Sequence, residues 1–182
     1  MIFSILLCFE VSSNNNISYY LGNWPPPLGI EYVIDKVSII PIMIVSVIGL
    51  IATLYAHNFF ILEIDKNLVS KTYSLWLLTI AGLMGLITTA DAFNLFVFLE
   101  ISSLSAVALV ALGSKIDRKA LIAGYNYLIL GAVGATFYVI GVGLLYGVTG
   151  TLNMSDLAQK IPALGLNKSV IVAFTFMMLG IM

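Results

Sequence analysis

The sequence predicts an all-α fold, a polytopic membrane helix bundle with about four complete and two partial transmembrane helices. Of its 182 residues, 60% are hydrophobic and only 9% are charged, against about 25% charged in ordinary soluble domains. Apolar runs approaching the ~20 residues needed to cross a bilayer recur along the chain, with polar stretches between them. No stretch alternates apolar and polar residues as a strand would, and a helix satisfies its own backbone in lipid. Residues 1–182 are therefore expected to form one membrane domain, multi-pass in a cell or inner membrane.

Each element follows in order. "MIFSILLCFEV" is apolar but too short to span, and it lacks the basic start and small-residue cleavage site of a secretory signal. The chain is thus expected to begin inside a span. "SSNNNISYYLGNWPPPLGIEYVID" holds three consecutive prolines, which exclude a helix. Spans are expected at Val37–His57, Tyr73–Thr89, Ala92–Leu112 and Ala120–Tyr146. Pro41 falls near the start of the first, where a missing N–H costs little. "NFFILEIDKNLVSK", "GSKIDRK" and "GVTGTLNMSDLAQKIPALGLNK" read as connections, and a last apolar run begins at Ser169 and is expected to be a partial span.

Basic residues orient the bundle. Lys66, Lys71, Lys115, Arg118 and Lys119 fall on one side, and Lys36, Lys160 and Lys168 on the other. The excess of Lys and Arg on cytoplasmic loops makes the first side cytoplasmic. His57, at the end of a span, reads as a headgroup-facing residue. Gly82 and Gly85 on one span, and Gly131, Gly134, Gly141, Gly143 and Gly147 on another, mark places where helices can approach closely.

Several function classes are excluded. A net charge of −1 offers no polybasic surface, so no nucleic acid is expected as partner. The single Cys8 cannot form an internal disulfide, and no His/Cys cluster suggests a metal. No Ser/His/Asp or Cys/His grouping and no nucleotide-cradling glycine loop is present, so neither an enzyme nor a cofactor is expected. Asn16, Asn153 and Asn167 begin Asn-x-Ser triplets, which read as chance matches to a glycosylation signal.

The informative residue is Glu100, centred in "ADAFNLFVFLEISSLSAVAL". It lies about 13 Å along a helix from Asp91, hence near the midplane if Asp91 marks a surface. A charged acid there costs about 2.5–3.5 kcal/mol on insertion scales, so it is neutral or faces a wet, paired site. Ser103, at i+3, shares its face, and Ser102 and Ser105 extend a small polar patch. An intramembrane carboxyl of this kind suits a proton relay, while a passive helix-bridging acid is the plainer alternative. Asp91, at a helix start, suits an N-cap.

"TADAFNLFVFLEISSLSAVAL" resembles the "GDLFNLFVFFE" segment of the antiporter-like membrane subunits found in respiratory complex I, related hydrogenases and Mrp multisubunit cation/proton antiporters. "GNWPPPLGIEYVIDKVS" and "YLILGAVGATFYVIGVGLLYGVTGTLNMSDLAQKI" are similar to segments of the D subunits of Mrp-type antiporters. The resemblance implies that Glu100 matches the fifth-helix glutamate of the proton path, which the family pairs with a lysine on a broken seventh helix. The chain stops at "FMMLGIM", just short of that lysine, and carries Asn126 where many relatives have a basic residue. Implied partners are other membrane subunits, protons and Na⁺ or K⁺. The expected function is therefore a membrane subunit of a monovalent cation/proton antiporter, with Glu100, Ser103 and Asp91 as proton-path candidates. The alternatives are a subunit of a complex I-like or hydrogenase assembly, and an inactive remnant or scaffold.

Overall fold

The computed structural model describes residues 1–182 apart from 15, 65, 114–116 and 166, and gives helix backbone alone at 14, 57–63, 66 and 67. The readings of His57, Lys66 and Lys115 therefore lie outside the described side chains. The elements are α1 (Ile2–Asn14), β1 (Ile17–Tyr20), a 3₁₀ turn (Leu21–Asn23), β2 (Glu31–Ile34), α2 (Ile39–Glu63), α3 (Lys66–Thr88), α4 (Ala92–Leu112), α5 (Lys119–Thr149), α6 (Met154–Ala163) and α7 (Lys168–Ile181). Among the described residues four helices, α2 to α5, are long and apolar enough to cross a membrane, and α1 and α7 are shorter apolar helices. The chain is a multi-pass, all-α membrane bundle, as its composition predicts.

Three expectations about connections are corrected. The stretch between α1 and α2 holds an antiparallel hairpin, with Ile17 opposite Ile34 and Tyr20 opposite Glu31. Its strands are four residues each, too short for alternation to register, yet "ISYY" and "EYVI" are rich in β-branched and aromatic residues. The "NFFILEIDKNLVSK" connection is mostly helix, because α2 runs on to Glu63 and α3 starts at Lys66. Apolarity reports where lipid is, not where helical hydrogen bonding stops. Finally, the "TLNMSDLAQKIP" connection contains α6. Asn153 caps it by accepting from the N–H groups of Ser155 and Asp156 at 2.9 and 3.1 Å. Asn167 caps α7 through Ser169 N–H at 2.9 Å. Two of the Asn-x-Ser triplets are thus helix caps, in which the serine lies where a capped N–H is needed.

The spans pack in sequence order, with α1 on α2, α2 on α3, α3 on α4 and α4 on α5, and α7 packs against α5. Small residues set two of these approaches. A Cβ on Gly82 would stand 2.8 Å from the backbone N of Ser102, joining α3 to α4, and one on Gly141 would stand 2.6 Å from the carbonyl of Ala173, joining α5 to α7. Hydroxyls stitch the N-terminal spans. Ser4 bonds Ser46 at 2.5 Å, Trp76 donates to Thr53 at 2.8 Å, and Thr79 bonds Ser105 at 2.8 Å, one link across each of three successive interfaces.

A buried core lies at the end of the bundle that carries the hairpin. Ala92, Tyr138, Val142, Leu145, Leu157, Val170 and Ala173 form one buried cluster joining α4, α5, α6 and α7. α6 lays Leu157 and Ile161 onto it and leaves Gln159 and Lys160 exposed. Above the core a small backbone knot ties three loops together. Ala90 N–H donates to the Glu31 carbonyl at 2.9 Å, Met154 N–H to the Ala90 carbonyl at 2.8 Å, and Ala92 N–H to the Leu152 carbonyl at 2.9 Å. Isolated bridges at Tyr32–Thr89 and Asp91–Asn153 complete it. At the C-terminus of α5, Gly150 adopts φ 68° and returns its N–H to Tyr146 at 2.8 Å, a left-handed stop that favours glycine.

Candidate functional site

Asp91 is the N-cap of α4. Its backbone is extended (φ −117°, ψ 128°) and its Oδ1 accepts from Asn94 N–H at 2.7 Å. The capping expectation is met, and the carboxyl is buried inside the knot. Around it are residues that sequence reasoning passed over. Asn94 donates to Tyr32 Oη at 3.2 Å and to Thr89 Oγ1 at 2.9 Å, and Asn153 donates to the Glu31 carboxylate at 2.8 Å. Their sequence separations, 62 residues for Tyr32 to Asn94 and 122 for Glu31 to Asn153, hide them from any local pattern. The β-branched and aromatic residues of "EYVI" are the local sign of the strand that carries Glu31 and Tyr32.

Glu100 is half-buried on α4. Helical spacing puts Phe96, Ser103 and Val107 on its face. The neighbours of those residues show where that face turns. Phe96 packs against the buried cluster, Ser103 Oγ lies 3.3 Å from where a Gly131 Cβ would be, and the Val107 carbonyl lies 3.7 Å from the same point on Gly124. Glu100 therefore faces α5. Ser103 shares this face, and no hydrogen bond joins it to Glu100 among the described residues. Ser102 and Ser105 do not share it. Both are buried toward α3, with hydroxyls returned to the carbonyls of Leu99 at 3.0 Å and Ile101 at 2.7 Å. The polar patch thus divides, Ser103 toward α5 and the other two serines toward α3.

The antiparallel register of α4 and α5 gives Glu100 its depth. Tyr138 Oη donates to the Ala92 carbonyl at 3.3 Å near one end, and Gly131 meets Ser103 further along. Glu100 is consequently level with the Gly131–Gly134 stretch. On an adjoining face of α5, three residues on from Gly131, a Gly134 Cβ would stand 2.8 Å from the Gly180 carbonyl. Glu100, Gly134 and Gly180 thus occupy one layer, on three adjacent helices. Asp91 and Glu100 are not brought together, since nine residues of helix keep them about 13 Å apart. Asn126 is exposed, on the part of α5 beyond Gly131.

The protein family described as NADH:quinone oxidoreductase/Mrp antiporter, TM, matches residues 89–182, more than half of the chain and all of the layer just described. The chain belongs to this family. It is 46% identical over 163 residues to the N subunit of an NADH-quinone oxidoreductase of Desulforudis audaxviator, and 36% identical over 171 residues to the D subunit of a probable K⁺/H⁺ antiporter of Rhizobium meliloti. These alignments cover 90% of this chain and 32% and 29% of the two relatives. The chain therefore spans about a third of the length of the relatives it matches. Among solved structures, a chain of the archaeal membrane-bound sulfane sulfur reductase superposes with a TM-score of 0.85 at 34% identity, covering 98% of this chain and 36% of that one. A chain of the Mrp complex of Dietzia superposes at 0.79 and 24% identity, covering 98% of this chain and 32% of that one, a likeness of fold.

Proposed function

We propose that the chain supplies the Glu100-bearing part of a proton-translocation path in a monovalent cation/proton antiporter, working with other membrane subunits to exchange protons for Na⁺ or K⁺. The observation that supports it is the layer of Glu100, Gly134 and Gly180. A carboxyl near the midplane is turned onto the Gly131–Gly134 stretch of α5, and through Gly180 α7 reaches the same depth against that stretch. In the resemblance drawn from the sequence, the partner lysine of this glutamate belongs to that same helix. Such a cation lowers the carboxyl pKa when near and lets it rise when it retreats, which moves a proton. Ser103 is the one hydroxyl on the Glu100 face within a turn. Asp91 acts by fixing the start of α4.

The test is ΔpH-driven cation exchange in vesicles holding the complete assembly. Glu100→Gln keeps the shape and removes the titration, so exchange falls about a hundredfold or more while assembly survives. Glu100→Asp keeps a titrating group and loses less. A helix-bridging scaffold acid predicts the reverse order, with Gln mild and Asp worse. Wild-type exchange by an intact Gln assembly would remove Glu100 from the mechanism.

A second reading is favoured by a specific observation. The oxidoreductase relative is 46% identical, above the 36% of the antiporter relative. In that reading the same path is driven by electron transfer in a complex I-like assembly. Subunits co-purifying with the chain separate the two, since Fe–S and flavin subunits would accompany only the redox-driven assembly.

A further inference from the structure

A cavity of about 270 Å³ lies beneath α6, and the proton path makes no use of it. Its walls come from four helices, Ala92 of α4, Tyr138 and Leu145 of α5, Leu157 and Ile161 of α6, and Met177 of α7, with Ala158 and Phe174 at its rim. Almost every lining atom is apolar, and the one hydroxyl there, Tyr138 Oη, is already committed to the Ala92 carbonyl. Water entering the cavity would find too few partners to stay. Both rim residues, Ala158 and Phe174, are exposed, so the cavity opens sideways from the bundle.

Depth and charge identify what fits. From Lys168 at the start of α7 to Met177 is nine residues, about 13 Å of helix, which is close to the thickness of one hydrocarbon leaflet. The α7 residues that line the cavity, Phe174 and Met177, stand about 9 and 13 Å of helix from Lys168, so its deep end lies where an acyl tail ends. α6 roofs it as an amphipathic helix lies in the headgroup layer, apolar face down. Two exposed cations, Lys160 and Lys168, stand on the surface side. Lys160 spends one N–H on the Thr149 carbonyl at 3.1 Å and keeps the others for a ligand. The nearby carboxylate on α6, Asp156, is engaged by Thr151 Oγ1 at 3.1 Å.

We propose that this cavity is a phospholipid site, taking one acyl tail beneath α6 and an anionic headgroup phosphate at Lys160 and Lys168. The lipid then acts as a wedge between α6 and the α5–α7 pair, holding the cap of the bundle at a fixed height over the Glu100 layer.

The complete assembly, reconstituted in vesicles containing phosphatidylglycerol with a photoreactive diazirine near the tail end, tests this by mapping adducts by mass spectrometry. Adducts are expected on the segments holding Met177, Phe174 and Ile161. Ala158→Phe fills the rim and should lower those adducts about tenfold, while adducts on lipid-facing Ile44 and Ile48 of α2 stay constant. Met177→Phe fills the cavity from the opposite wall and should do the same, guarding against a folding defect in either variant. Lys160→Gln with Lys168→Gln should equalise labelling by phosphatidylglycerol and phosphatidylcholine probes. Cavity adducts that ignore both filling variants would mean annular lipid only, and absence of cavity adducts would mean that protein occupies the space. Either outcome overturns the proposal. Glu100→Gln should leave the labelling unchanged, so this result stands apart from the fate of the proton-path reading.

Discussion

Asp35 and Asp91 each stand at the approach to a helix, the first in an exposed turn and the second buried. Asp35 Oδ1 accepts from Val37 N–H at 3.1 Å, from Ser38 N–H at 2.7 Å and from the Ser38 hydroxyl, closing the exposed turn that feeds α2. These bonds, the Ser38 hydroxyl first, favour the carboxylate and hold its pKa below the ordinary value. A depressed folded pKa contributes stability that is complete above the unfolded value and is lost as pH falls through the folded one. Protection of the Val37 and Ser38 amides, relative to their intrinsic exchange rates, should therefore hold down to about pH 4 and fall below it, and Asp35→Asn should flatten that dependence. Asp91 is buried within the knot and serves as a cap with no exposed turn around it. Asp91→Ala should cost about 1 kcal/mol for the cap alone, read as a lower Tm of the assembly in mild detergent. Asp91→Asn keeps an acceptor for Asn94 N–H and should recover most of that loss. If Asn behaved as badly as Ala, the charge at Asp91 rather than its acceptor would be what α4 needs.

At the scale of elements, glycines decide which helices meet. The Gly141 site allows α5 and α7 to touch backbone to backbone, and a Cβ there would lie 2.6 Å from the Ala173 carbonyl and 3.0 Å from Met177 N. Neither neighbour can yield by rotating a side chain. Gly141→Val should therefore force α7 outward and cost about 1–3 kcal/mol, whereas Gly147→Ala, with nothing within 4 Å, should be silent. Comparing the Tm of the two variants checks this, and equal effects would deny the close approach. Both glycines look alike in the sequence, which offers spacing but not neighbours. The same limit explains what could be read and what could not. The four spans were legible because twenty apolar residues have one solution in lipid, and Asp91 was legible as a cap because capping is local. The hairpin and the division of the serines between α3 and α5 depend on contacts between distant segments, whereas α6 starts at a local cap, Asn153, that reads in the sequence as a chance glycosylation match. Sequence alone put Ser102 and Ser105 in one patch with Glu100, and the packing of Gly82 against Ser102 separates them.

The whole molecule has two unlike ends, and this makes its orientation testable. At one end lie the hairpin, the knot and α6, with Tyr19, Tyr20 and Trp24 exposed as interfacial aromatics. At the other lie the start of α3, the end of α4 and the start of α5, with Lys71, Arg118 and Lys119 exposed. α5 has 31 residues, about 46 Å of helix, and exceeds a hydrocarbon core of about 30 Å, so one of its ends must stand in the interface or beyond it. Its Lys119 end is the one with charges to place in water. Counted over the whole sequence, five Lys and Arg fall on that side against three on the other, so the expectation is that this end is cytoplasmic. A membrane-impermeant thiol reagent added to intact cells should then label Trp24→Cys and Gln159→Cys, and should reach Lys71→Cys and Lys119→Cys only after permeabilisation. Cys8 is half-buried, and its replacement by Ser gives the background for all four. Labelling of Lys119→Cys from outside would invert the bundle. Glu100 would keep its midplane depth, because the layer it shares with Gly134 and Gly180 is fixed by helix register and not by sidedness. The cavity under α6 would pass to the cytoplasmic leaflet, and the proton path would have to be drawn from the opposite compartment.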